Sequence, residues 1–289
     1  MRQGSVVTFD TIHGVDFSGA KLAGRNIWVA RLERRGVSKG RRFALTELAC
    51  LEHACGTAER AAALSHLVAM IKSSDGALWS MDFPFGLPLE VLEKGTRWPQ
   101  QIEFLRRWGE DAYGVGLECL ARARRLGGPM HIRRLTDVEA KAPFDCYHYR
   151  IIYQFFYGLR DVLGPLANTR GTAILPFQYR RLPSARRVLV ETCPSSTLKR
   201  LGLPYQNYKQ PAGGPLTARR LRTRRAIVED VSRRLLIEPR HRRVIMRNGG
   251  GDALDAVLAA VGGEYAWGAA DHRRIARHPR YPLEGHLYF

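Results

Sequence analysis

Four acidic stations, each closing an apolar run, constrain this chain more than any other feature. Asp16 stands in Gly14-Val15-Asp16-Phe17-Ser18-Gly19, Asp82 in Trp79-Ser80-Met81-Asp82-Phe83-Pro84, Glu191 in Val188-Leu189-Val190-Glu191, and Asp252 and Asp255 in Gly251-Asp252-Ala253-Leu254-Asp255-Ala256. A carboxylate ending a hydrophobic strand is costly to bury unless something positive meets it. Several of them converging make a site for hard divalent cations, which take oxygen ligands.

The rest of the chain has the opposite sign. Lys and Arg number 46 against 27 Asp and Glu, for a net charge of +19, and 39 of the 46 are Arg. Arginine suits bidentate phosphate contacts, so a nucleic acid is the expected partner. Coding bias accounts for Arg replacing Lys, but not for the excess of basic over acidic residues. No stretch approaches the roughly 18 apolar residues of a membrane span, and no signal-type apolar segment follows Met1-Arg2-Gln3-Gly4-Ser5. A non-membrane, cytoplasmic protein is the expectation. Cys50, Cys55, Cys119, Cys146 and Cys193 form no CxxC pair, which points to ordinary thiols rather than a disulfide framework or zinc ribbon.

With 45% hydrophobic residues over 289 positions, the chain can fill a large core. We read residues 1–289 as one domain with a helical insertion at 98–170. Hydrophobic patterning predicts strands over 6–17, 26–32 and 42–48 joined by short turns, hence antiparallel. A helix opening at Thr57 places Ala61, Leu64, Leu67, Val68 and Ile71 on one face, and a buried strand follows over 77–83. Pro84 stops that strand, which leaves Asp82 at its carboxyl end, where open α/β sheets place their clefts. An apolar stripe through Ile152, Phe156, Leu159 and Leu163 marks a helix packed beside the sheet. In the aromatic run from Tyr147 to Tyr157, Phe156 and Tyr149 are expected in the core, and the outward tyrosines stay open as stacking surfaces for bases.

Arg187 to Glu191 reads as a further strand, and Pro194-Ser195-Ser196 as the start of a short helix. A longer helix over 217–236 turns Leu221, Val228, Val231 and Leu235 inward. Arg219, Arg220, Arg222, Arg224, Arg225, Arg233 and Arg234 occupy its other face, where Glu229 and Asp230 are too few to neutralise them. With Arg240, Arg242 and Arg243 they form the expected nucleic-acid surface, to which Lys21 and Lys199 add phosphate contacts near the acids. The ordinary alternative is a solvated helix face.

Asp252 and Asp255, three apart, share one face of a helix, and the glycines before them permit close backbone approach. An N-cap and a first-turn acid favouring the helix dipole would have the same sequence.

The order of three strands, helix, strand, helical insertion, strand and late helices resembles the ribonuclease H-like fold: a mixed sheet of three antiparallel strands followed by parallel strands, flanked by helices. The segments Gly14 to Ala20, Met81 to Pro88, Val190-Glu191-Thr192-Cys193-Pro194 and Gly251 to Ala256 resemble the motifs of the domain-of-unknown-function family 429, regarded as predicted nucleases of that fold. Leu283-Glu284-Gly285-His286 resembles the family's C-terminal end. Among Holliday-junction resolvases of the same superfamily, Asp16 corresponds to the first-strand aspartate, and Asp252 and Asp255 to the paired helix acids. Asp82 stands where those enzymes carry glutamate, one methylene longer. Glu191 corresponds only to the closer family.

The resemblance implies a nuclease with Asp16, Asp82, Glu191, Asp252 and Asp255 as catalytic residues. Asp16, Asp82, Asp252 and Asp255 would hold two Mg²⁺ or Mn²⁺ ions to stabilise the attacking and leaving oxygens of a phosphodiester displacement. Two alternatives stay open. Asp16-Phe17-Ser18-Gly19-Ala20-Lys21 is similar to the first phosphate loop of actin-like ATPases, and the same fold could serve as an inactive nucleic-acid-binding protein.

Overall fold

The computed structural model describes residues 7–38, 41–210 and 213–289. Its centre is β4 (Ala77–Asp82), whose Ala-Leu-Trp-Ser-Met-Asp run is buried along both faces as a continuous apolar stretch requires. Alternation still sorts its side chains: Leu78 joins one core, Trp79 and Met81 the other. Beside it lie β1 (Thr11–Asp16) and β6 (Arg187–Glu191), both parallel to it. On the far side of β1, β2 (Trp28–Ser38) and β3 (Arg41–Cys50) run antiparallel, giving the expected three-strand meander.

Two short strands escape the sequence reading. β5 (Thr172–Ile174) pairs in parallel with β6, and β7 (Leu235–Leu236) in parallel with β3. The full order is β5-β6-β4-β1-β2-β3-β7. This mixed sheet, flanked by helices and carrying a large helical insertion between β4 and β5, resembles the ribonuclease H-like arrangement. β7 takes the last residues assigned to the long basic helix, which ends at Arg234. The predicted first strand shortens to begin at Thr11; Val6 lies outside the described residues.

One face of the sheet carries the helix Arg60–Ser73 and the insertion. That helix starts at Glu59, whose carboxylate accepts from the amides of Ala61 and Ala62, both at 2.9 Å. Ala61, expected on the apolar face, is exposed, and Ala63 is buried beside Leu64, Leu67, Val68 and Ile71. Ile152, Phe156, Leu159 and Leu163 are buried as predicted, whereas Tyr149 is 62% exposed, because it precedes the helix Ile152–Tyr157 and lies off its apolar face.

The other face carries the helix Asp252–Ala269, buried from Ala253 to Gly263, as a helix apolar all round must be. Its close seat depends on Gly14: a Cβ there would stand 2.0 Å from the carbonyl oxygen of Ala256. The close approach thus comes from a glycine in the strand. The glycines before the helix serve the turn instead, with Gly251 at φ 96°, a left-handed conformation that disfavours side chains.

Candidate metal centre

β1 and β4 end in register, with Asp16 directly opposite Asp82. Close seating of the 252–269 helix on Gly14 brings in Asp255 from its first turn. One carboxylate oxygen from each of Asp16, Asp82 and Asp255 lies within 4.8 Å of the other two. Three hard oxygen donors at that spacing suit a divalent cation such as Mg²⁺, Mn²⁺ or Ca²⁺.

The electrostatics agree. Burial pushes the Asp16 carboxyl well above the usual aspartate range, and the charges of Asp255, Asp82 and Asp252 add to this against Lys209. Asp82 is raised to about 8, by burial first and Asp255 next. Such carboxylates are short of positive charge. The cation in direct contact is Lys209: its Nζ is ion-paired with Asp255 Oδ2, while the Tyr208 hydroxyl donates to Asp255 Oδ1 at 2.8 Å. Burial alone would lower the Lys209 pKa, but Asp255, Asp16 and Asp82 more than offset it and hold the ammonium charged.

Together these groups line a cleft of about 230 Å³ that continues over Pro143, Phe144 and Ile151 of the insertion. Cys193 is on its wall. Burial and then Asp82 push that thiol up to about 12, so it offers no thiolate nucleophile near neutral pH.

Glu191 borders the same cleft in a different state. Arg134 donates through Nη1 to Oε2 at 2.8 Å and through Nη2 to Oε1, and the Phe85 amide donates to Oε2 at 2.9 Å. Arg134 is fully buried and also grips Asp137 at 2.7 Å and the Glu284 carbonyl at 3.2 Å. Both Glu191 oxygens are therefore committed to tying the insertion and the C-terminal segment to β6. Asp252 lies outside the group of three; it is half-buried, and its carboxyl is raised by burial although Lys209 opposes this.

The expected basic surface divides. Arg224 is the clear correction: it is fully buried and donates to the carbonyls of Tyr208, Ile245, Asn248 and Gly249. It braces the loop carrying Lys209 against the turn that starts the 252–269 helix, and has no hand free for phosphate. Arg220 is half-buried and donates to the side chain of Gln210. Leu221, expected inward, is only half-buried.

Arg240 pairs with Glu238 at 2.8 Å, Arg242 with Glu229 at 3.9 Å, and Arg233 and Arg234 with Asp230. Arg219, Arg222, Arg225 and Arg243 are exposed and have no carboxylate partner among the described residues. Lys21 is exposed beyond the Asp16 loop, and Lys199 donates to the Lys141 carbonyl at 2.5 Å.

Sequence reasoning missed Arg134, Tyr208 and Lys209. The demand for Arg134 was visible, since a strand-end Glu191 needs a cation, but nothing in Arg133-Arg134 tells which of two adjacent arginines turns inward. Lys209 carried no local signal: it is a single lysine in an irregular segment between two helices. Compared with protein-family models, curated proteins and solved structures, the chain matches none.

Proposed function

We propose that this chain is a metal-dependent nuclease that hydrolyses phosphodiester bonds of DNA or RNA, with Mg²⁺ or Mn²⁺ held by Asp16, Asp82 and Asp255. The observation that carries the reading is the convergence of these three carboxylates from two strand ends and a helix start within 4.8 Å. When bound, the cation polarises a phosphoryl oxygen and activates a water. Asp16 and Asp82 would hold the ion from the strand ends, and Asp255, whose Oδ1 accepts from the Tyr208 hydroxyl, from the helix. Asp252, beside the group on the same helix, is our candidate for a second ion. The motif resemblance to domain-of-unknown-function family 429 supports the assignment, with the protein read as one domain over 1–289 and an insertion over 98–170. Exposed Arg219, Arg222, Arg225 and Arg243 are the proposed phosphate contacts, with Lys21 and Lys199 nearer the acids.

The test is a panel of labelled single-stranded, duplex and branched DNA and RNA with Mg²⁺ or Mn²⁺. The wild type should cleave at least one substrate in a metal-dependent way, and Asp16→Asn should bind without cleaving. Cleavage persisting in purified Asp16→Asn would remove the acid from the mechanism.

A further inference from the structure

The insertion presents an aromatic strip at the mouth of the acid cleft that the metal centre does not use. Phe144 lines the cleft together with Asp16, Asp82 and Asp255. Its ring stacks on His148 at 4.4 Å and 27°, and His148 in turn meets Tyr149 at 4.5 Å. Tyr149 is 62% and Tyr153 42% exposed. Arg150 is also exposed, standing 5.5 Å from the centroids of both Phe144 and Tyr149.

The strip is fastened to the acid site. The Gln154 amide donates to the Phe17 carbonyl at 2.7 Å, one residue beyond Asp16. Gly19 lies so close to the Tyr153 backbone that a Cβ would stand 2.2 Å from its carbonyl oxygen. Tyr153 is therefore held over the loop that leaves Asp16. Lys199 reaches the Lys141 carbonyl, three residues before Phe144, and lies 4.8 Å from the ring of Tyr205, itself 45% exposed.

We infer that this strip is a stacking platform for unpaired nucleotides, which makes single-stranded nucleic acid the substrate class. Exposed π-faces interleaved with cations fit bases and phosphates alternating along a strand, and stacking tolerates any base. A duplex hides its base faces and could use only the cations. The inference rests on the nuclease reading for turnover but not for binding.

The test uses full-length protein without divalent metal and 12-nucleotide single strands of DNA and RNA, each against its own duplex, by fluorescence anisotropy. Single strands should bind at least tenfold more tightly than duplex, with the DNA and RNA arms showing whether sugar identity matters. Tyr149→Ala with Tyr153→Ala should weaken single-strand binding by about tenfold or more, since one stacked base contributes roughly 1–3 kcal/mol. Duplex binding should not change. Phe at both positions should retain affinity, and 2-aminopurine in the strand should lose its stacking-dependent quenching only in the Ala variant. Equal affinity for duplex, or an Ala variant that binds single strands normally, overturns the platform. So does a concentration-dependent dimer abolished by the same variant, which would make the strip an interface between copies. If tyrosine-dependent single-strand binding occurs without metal-dependent cleavage, the nuclease reading fails and the platform stands. Cleavage indifferent to the tyrosines gives the reverse.

Discussion

Asp82 and Glu191 end neighbouring parallel strands, with Glu191 in register with Met81, one residue before Asp82. Both close an apolar run and both face the same cleft. Arg134 and the Phe85 amide saturate Glu191, whereas Asp82 has other carboxylates as its strongest neighbours apart from Lys209. One carboxylate is consumed by the fold and the other is left for a ligand. Strand-end placement therefore does not identify a candidate metal ligand, since Glu191 has it and is committed to the fold, while Asp255 reaches the group from a helix. What separates them is whether a buried cation has arrived first.

The largest expected effect comes from Asp82→Asn. Metal uptake followed by calorimetry and metal-dependent cleavage should both fall to background, and Asp82→Asn with Asp255→Asn should be little worse than either alone, because such sites act as units. Glu191→Gln should leave metal uptake unchanged. The reverse pattern would break the comparison, since it would make Glu191 the ligand and Asp82 the structural acid.

Next in size is stability. Arg134→Met strands Glu191 and Asp137 as buried, unpaired carboxylates and should cost about 3–5 kcal/mol in urea unfolding, the usual penalty for removing one partner of a buried ion pair. Asp82→Asn should not destabilise the ion-free protein at neutral pH, because burial and Asp255 raise the carboxyl to about 8 and keep it largely protonated there, so a neutral amide replaces a largely neutral acid. Equal losses for the two variants would mean that Asp82 is as fully paired as Glu191.

The pH dependence sharpens the same point. Folding raises the Asp82 carboxyl to about 8. The folded state then binds the proton more tightly, so this contribution to stability is complete below the unfolded value of about 4 and is lost as pH rises through the folded value. Asp16 and Asp252 shift in the same direction, as does Glu191, whose burial outweighs Arg134. Ion-free protein should thus lose stability between about pH 4 and about 8. Asp82→Asn should flatten that decline, and saturating Mg²⁺ should reduce it by stabilising the ionised acids. Unfolding midpoints that do not move with pH in the absence of metal would show that the acids are already neutralised.

The smallest effect distinguishes the arginines in the same terms. Arg222→Ala with Arg225→Ala should reduce the slope of log affinity against log salt for nucleic acid by about two units and leave stability almost unchanged. Arg224→Ala should instead destabilise, because four carbonyls lose their donor. An unchanged slope would return the exposed arginines to a solvated face.

Much of this was already written in local sequence. The continuous apolar run of β4 with Pro84 after it, the Ile152 to Leu163 stripe, and the acids at Asp16, Asp82 and Asp255 were legible because strand and helix periodicity and proline stereochemistry are short-range. Short-range chemistry also marked every acidic station as a problem to be solved by a positive charge. It could not say by which one. The strands of two and three residues, β7 and β5, exist only as partners of β3 and β6. Arg134, Lys209 and Arg224 look like any other basic residue among the 46. Their roles were decided by contacts spanning 57 residues for Arg134 with Glu191 and 16 to 25 for Arg224 with its carbonyls. The sequence marked Asp16, Asp82, Glu191 and Asp255 as carboxylates closing apolar runs, but not the buried Asp137 and Asp145. Only the tertiary structure decided which were neutralised, because charge compensation depends on distances that close when distant segments pack.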